Sequence, residues 1–125
     1  MLKLIMAGQV ARRRTLEPLR FFDLEPGDDA VLFALDAATP ISDPDLAELT
    51  GQSLRDLLAR LQRLTRLGLV TRDDATTLSP SGQDVAANLV LHWQRLDARL
   101  LAGVKKKHRR RFLRLLDRMI GSGLL

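Results

Sequence analysis

The stretch from Pro44 to Gly82 constrains this 125-residue chain more than any other. Asp43 offers a carboxylate to the free backbone N–H groups of a helix start, and Pro44 suits the first helical position, where its missing donor is not needed. Leu46 and Leu49 follow at helical spacing, and Thr50-Gly51 ends that short helix. Ser53-Leu54-Arg55-Asp56 then gives a capping-box pattern, with Asp in the place usually held by Glu. It opens a helix with Leu54, Leu57, Leu58, Leu61 and Leu64 on one face, closed by Gly68. Arg55, Arg60, Gln62, Arg63 and Arg66 mostly take the other faces. Two short β-leaning runs, Leu69–Arg72 and Thr76–Leu78, flank Asp73-Asp74-Ala75 and read as a hairpin. Ser79 as cap and Pro80 just inside then start a long helix. This order predicts a mainly α fold: a winged helix-turn-helix with a small two-stranded β-hairpin.

The flanks are helical. Residues 1–22 place Leu2, Leu4, Ile5, Val10, Leu16 and Leu19 among arginines and read as one irregular helix. Glu25-Pro26-Gly27-Asp28-Asp29 breaks the chain, with proline suited to a first helical position, and the next helix is expected from Asp28 to about Asp36, with Val31, Leu32 and Leu35 facing the core. Beyond Gly82, Val85, Leu89, Trp93, Leu96, Leu100 and Val104 recur in steps of three and four. A last helix aligns Phe112, Leu115, Leu116, Met119 and Ile120 on one stripe before Gly121-Ser122-Gly123.

With 46% hydrophobic residues the chain suits a folded domain rather than a disordered one. It has no cysteine, which excludes disulfide stapling, thiol catalysis and cysteine metal sites. No run reaches the ~18 apolar residues of a membrane span. The apolar start Met1–Gly8 is short and precedes Arg12-Arg13-Arg14, the reverse of a signal peptide's charge order, so a cytoplasmic location is expected. No glycine-rich phosphate loop, serine-nucleophile motif or metal-spaced histidine pair occurs, and the carboxylate pairs Asp28/Asp29 and Asp73/Asp74 sit at turns or helix starts. The expectation is a protein that is not an enzyme and needs no cofactor or metal. The net charge of +5 is local in origin. From Arg99 to Arg118 nine Lys and Arg oppose only Asp117, a net +8, which leaves −3 for the rest of the chain.

In Leu16–Leu19, Leu24–Pro26, Ala30–Leu35, Leu46–Leu49, Leu64–Val70, Leu78–Gly82 and Leu100–Gly103, the chain resembles the MarR family of bacterial winged-helix regulators along nearly its whole length. Leu78-Ser-Pro-Ser-Gly82 is similar to the family's Leu-Thr-Pro-x-Gly lead into its long helix. The resemblance implies a single domain over 1–125, with a winged lobe at about 28–84 and dimerisation helices at 1–22 and 85–120. It implies a homodimer that binds a palindromic operator in double-stranded DNA, with the Ser53–Leu67 helix in the major groove. It also implies a small aromatic effector. Two departures stand out: the hairpin is shorter than the family's, lacks its Asp-x-Arg motif, and has an acidic tip that phosphate repels. The second is Leu54-Arg55-Asp56 in place of the family's Ser/Thr-rich entry to the recognition helix.

In that context Arg55, in the first turn, is the candidate for base readout, because arginine pairs bidentately with guanine. Arg60 and Arg63 are candidate phosphate contacts, and Arg66 and the wing's Arg72 extend the set. Ser53 serves as cap; Asp56 either caps or accepts from cytosine. Phe21, Phe22, His92 and Trp93 are candidates for an effector pocket, with core and dimer packing the competing role. Lys105–Arg111 is either a solvated turn or a contact to a second anionic partner. The alternative to a DNA-binding regulator is a winged-helix interaction module with little sequence-specific DNA affinity.

Overall fold

The computed structural model describes residues 2–37 and 40–121. Its elements are α1 (Leu2–Arg14), α2 (Leu16–Phe21), α3 (Asp28–Ala37), α4 (Asp43–Thr50), α5 (Leu54–Arg66), β1 (Val70–Arg72), β2 (Thr76–Leu78), α6 (Pro80–Leu100) and α7 (Lys106–Gly121). The expected mainly α architecture with one antiparallel hairpin is present. The chain forms two compact units, Met1–Trp93 and Gln94–Leu125.

In the first unit the irregular helix expected at 1–22 is two helices. Pro18 is the cause: it has no N–H for the Arg14 carbonyl, and its ring clashes with that carbonyl in a continuous helix. The chain turns at Thr15, whose hydroxyl donates to the Arg12 carbonyl at 2.6 Å. Asp28 opens α3 as expected, and Pro26 lies in the turn before it rather than at a first helical position. At α4 the cap is Ser42, not Asp43: the Asp45 N–H donates to Ser42 Oγ at 3.2 Å, and Asp43 becomes the first helical residue. Ser53 caps α5 as expected, receiving the Asp56 N–H at 3.1 Å. Gly68, with φ of 77°, closes α5 by sending the Leu69 N–H to the Leu64 carbonyl and its own to Thr65.

The core collects one side of α2, α3, α4, α5, the hairpin and the first half of α6. Leu19, Leu32, Leu46, Leu57, Leu61, Leu64 and Leu89 are fully buried, with Val31, Leu35, Leu69, Val70, Leu78 and Ala86 around them. Each such leucine contributes about 1.5–3 kcal/mol relative to exposure. The buried stripe of α5 is narrower than its leucine pattern, since Leu54 and Leu58 are exposed. The hairpin pairs Val70 with Leu78, Thr71 with Thr77 and Arg72 with Thr76 across a three-residue loop. Val70 and Leu78 turn inward, while the Thr71 and Thr77 hydroxyls bond outside at 2.8 Å.

The Ser79–Gly82 start of α6 is fixed against Leu69, the residue before β1. Ser79 donates its N–H to the Leu69 carbonyl at 3.0 Å and caps the helix by accepting the Gly82 N–H at 3.0 Å. A Cβ on Gly82 would lie 2.0 Å from the Leu69 carbonyl oxygen, so only glycine permits this approach.

The second unit holds the end of α6, a turn, and α7. Arg109 returns to that turn, donating Nε to the Val104 carbonyl at 2.7 Å. Helical structure begins at Lys106, so most of Lys105–Arg111 forms the first turns of α7 instead of a solvated turn.

Candidate nucleic-acid interface

The turn between α4 and α5 is tight, with Gly51 at φ of 68° and Gln52 and Ser53 completing it. Since Leu57, Leu61 and Leu64 fix the inner face of α5, the helical period fixes the outer one. Arg55, Ala59, Gln62 and Arg66 form that outer ridge, at steps of four, three and four, and all four are exposed. Among the described residues, neither Arg55 nor Arg66 has an ion pair or side-chain hydrogen bond, so both guanidinium groups are open to a ligand. Gln62 and Ala59 are the ridge positions that the charge-led sequence reading passed over. A wheel centred opposite the buried leucines would have found them, and a glutamine there suits bidentate pairing with adenine.

Arg60 and Arg63, the candidate phosphate contacts, both pair with Asp28. The Asp28 side chain is fully buried, and Arg60 Nη1 reaches its Oδ1 while Arg63 Nη2 reaches its Oδ2. The Glu25 N–H adds a third donor to Oδ2 at 2.7 Å. Arg60 Nε also donates to Gln52 Oε1 at 3.0 Å, and Gln52 Nε2 to the Gly27 carbonyl at 3.2 Å. A carboxylate without solvent needs paired charge and hydrogen bonds; two guanidinium groups and the start of α3 supply both. These arginines are thus held on the flank of α5, turned toward α3. The neighbouring Asp29, nearly buried, takes Arg12 of α1 through both carboxylate oxygens at 3.1 and 3.0 Å. Two adjacent aspartates at one helix start therefore tie α3 to α5 on one side and to α1 on the other.

Arg72 is also occupied. It grips Asp43 with both terminal nitrogens, at 3.1 and 2.8 Å, and donates to Thr76 Oγ1 at 2.8 Å. The Arg72 hydrogen bond holds the Asp43 carboxyl below its usual range, and the same bond raises the Arg72 guanidinium. This fastens the wing to the start of α4, while Asp73 and Asp74 at its tip stay exposed.

The seven candidates thus divide. Ser53, Asp56, Arg60, Arg63 and Arg66 line one open trough of about 470 Å³ with Glu25, Gln52 and Ala59. Arg55 projects from the ridge, and Arg72 lies with Ser42, Asp43 and Thr76 at the wing. Asp56 supplies its N–H to the cap, and its carboxylate has no hydrogen-bond or ion-pair partner among the described residues. The aromatic candidates form two separate edge-to-face pairs: Phe21 with Phe22 at 5.0 Å and Phe33 with Trp93 at 6.2 Å. His92 is exposed, and Phe21 is 81% exposed. Among the described residues no three His, Asp or Glu side chains converge as metal ligands.

No protein-family model matches the chain, and no curated protein matches it in sequence. Solved structures do match. The Mycobacterium tuberculosis MarR family protein Rv2887 in complex with DNA superimposes with a TM-score of 0.82 at 24% identity, over 94% of each chain. The same protein in complex with salicylic acid gives 0.76 at 25% identity, over 93% of this chain and 94% of that one. The reduced form of MarR from E. coli gives 0.80 at 23% identity, over 95% and 92%.

Proposed function

We propose that this chain, which has the winged-helix fold of the MarR regulators, is a DNA-binding transcriptional regulator of that type, working as a homodimer in the cytoplasm on a palindromic operator. The observation that carries the reading is the outer ridge of α5. Its Ser53 cap and buried leucines present Arg55, Gln62 and Arg66 together, on a helix of the length that enters a major groove. Arg55 and Gln62 read base edges in this account, and Arg66 positions the helix on phosphate. Arg60 and Arg63 act indirectly, by holding α5 against Asp28.

The dimer reading is supported by apolar faces on both terminal helices. In α1, Leu2, Ile5, Met6 and Val10 are exposed; in α7, so are Phe112, Leu113 and Leu115. Apolar residues exposed along both helices suit a partner, and residues 1–22 and 85–120 of a second copy, in a two-fold arrangement, are the one proposed. No described helix is long and apolar enough to cross a membrane. A small aromatic effector is proposed from the Phe21, Phe22, His92 and Trp93 set, extended by Phe33, together with the salicylic acid complex of Rv2887.

One observation favours the alternative of an interaction module with weak DNA affinity: Arg72 is bound to Asp43 behind an acidic wing tip. Binding to duplex from the region upstream of the coding sequence, against random duplex over a salt series, separates the two readings. The regulator prefers its upstream duplex and loses affinity linearly in log salt. Equal affinity for both duplexes refutes it, and sedimentation as a 14.0 kDa monomer at micromolar concentration refutes the dimer.

A further inference from the structure

We propose that the outward half of α7 is a second DNA-binding surface, one that follows the phosphate backbone of a non-operator duplex without reading sequence. Around the helix axis Lys106, Lys107, Arg110, Arg111, Arg114 and Arg118 fall within an arc of about 140°, opposed there only by Asp117 near its Lys106 edge. Phe112, Leu113, Leu115, Leu116 and Met119 occupy the opposite side. Within the basic arc, Lys107, Arg111, Arg114 and Arg118 form a row rising about 16 Å along the axis. The row lines two adjoining open troughs of about 270 and 310 Å³ that share Arg111 and Arg114.

None of these four cations has a carboxylate partner among the described residues; Arg114 donates only to the Arg110 carbonyl, at 3.3 Å. Like charges four residues apart oppose a helix, and cations in the first turn oppose its dipole. The free protein carries both penalties, and a polyanion laid along the row relieves them.

Charge and shape select the occupant. One strand of B-DNA offers a phosphate every 3.4 Å of axis, so a row of this length spans several. A folded acidic protein would need several apolar or aromatic anchors at the centre of its interface, and among the described residues the two troughs offer Leu115 and His108 beside the row. An anionic membrane would need the apolar half of α7 for insertion, and in the homodimer proposed above that half is covered by the second copy. The inference rests on that reading for the dimer and not for operator recognition.

The test uses the full chain, random-sequence duplex and a salt series. Wild type is compared with K107Q/R111Q/R114Q/R118Q and with the charge-keeping R111K/R114K/R118K. Removing four phosphate contacts flattens the slope of log affinity against log salt by about 3–4 per chain engaged; the lysine variant keeps the wild-type slope. A tethered random duplex captures a second labelled duplex through wild type and not through the glutamine variant. Circular dichroism and sedimentation establish that both variants keep helix content and assembly state. An unchanged slope in the glutamine variant overturns the proposal. So does binding to phosphatidylserine vesicles, or to poly-glutamate, that random duplex fails to displace. R55A, read on the upstream duplex, reports the operator reading separately, so either can fail without the other.

Discussion

Replacing Asp28 by asparagine keeps the shape of the side chain and removes its charge, in a place where the charge has no water to fall back on. Removing one partner of a fully buried ion pair costs about 3–5 kcal/mol, because the remaining charge is left uncompensated. Here the remaining charges are not fully buried: the Arg60 and Arg63 side chains keep 18% and 24% of their exposure and can swing toward solvent. One acceptor oxygen also survives in asparagine and, in the place of Oδ2, can keep two of the three donors, Arg63 and the Glu25 N–H. Both effects lower the expected loss, to about 2–3 kcal/mol. Urea unfolding at fixed protein concentration measures it as a lower midpoint with an unchanged slope. In a double-mutant cycle, Asp28→Asn and Arg63→Met are coupled by at least about 1 kcal/mol, because the two side chains share one network. A loss below about 0.5 kcal/mol, within the range of ordinary surface substitutions, would refute the claim that Asp28 fastens α5 to α3.

Gly82→Ala drives a methyl group into the Leu69 carbonyl, and because backbone cannot yield as a side chain tip does, a loss of about 1–3 kcal/mol is expected in the same unfolding experiment. A neutral result would contradict the close approach of α6 to the Leu69 carbonyl. For Asp43, the carboxyl is lowered in the folded protein by Arg72. Its contribution is therefore full above the unfolded value of about 3.9 and fades as pH falls through the lower folded value. Since the pair is partly exposed, the expected size is about 0.5 kcal/mol. Wild type and Asp43→Asn should differ at pH 7 and converge near pH 2; a gap that persists in acid would refute the assignment. Freeing Arg72 by the same substitution should also raise affinity for random duplex several-fold at low salt, and a loss of affinity would show that the clasp positions the wing for DNA.

Much of the fold is legible along the chain because its punctuation is local. Ser53, Ser79, Gly51 and Gly68 act on the backbone within a few residues, so each marks its helix end without reference to the rest of the molecule. The leucines of α3 and α5 mark the core by period, although the exposure of Leu54 and Leu58 shows that the period alone overstates the buried stripe. Errors of one residue arose where two groups competed for one role. Ser42 and Asp43 could both cap α4, and Arg72, 29 residues away, claims the aspartate. The same reason explains the arginines. In sequence Arg55, Arg60, Arg63 and Arg66 are four similar charges; only the fold brings Asp28, 32 and 35 residues distant, to two of them. Pairing at such range carries no local signal, so the sequence does not separate Arg60 and Arg63 from Arg55 and Arg66, whereas the outer ridge with Gln62 follows from the leucine period alone.

The central claim is that α5 reads bases through Arg55, and a cycle across the interface tests it most directly. Guanines of the preferred duplex are replaced one at a time by 7-deazaguanine, which lacks the N7 acceptor, and binding is measured for wild type and Arg55→Ala at one salt concentration. Base readout by Arg55 predicts one guanine at which wild type loses about 1–3 kcal/mol and Arg55→Ala loses nothing further. Additive losses at every guanine, or an Arg55→Ala protein with the wild-type preference intact, would contradict it.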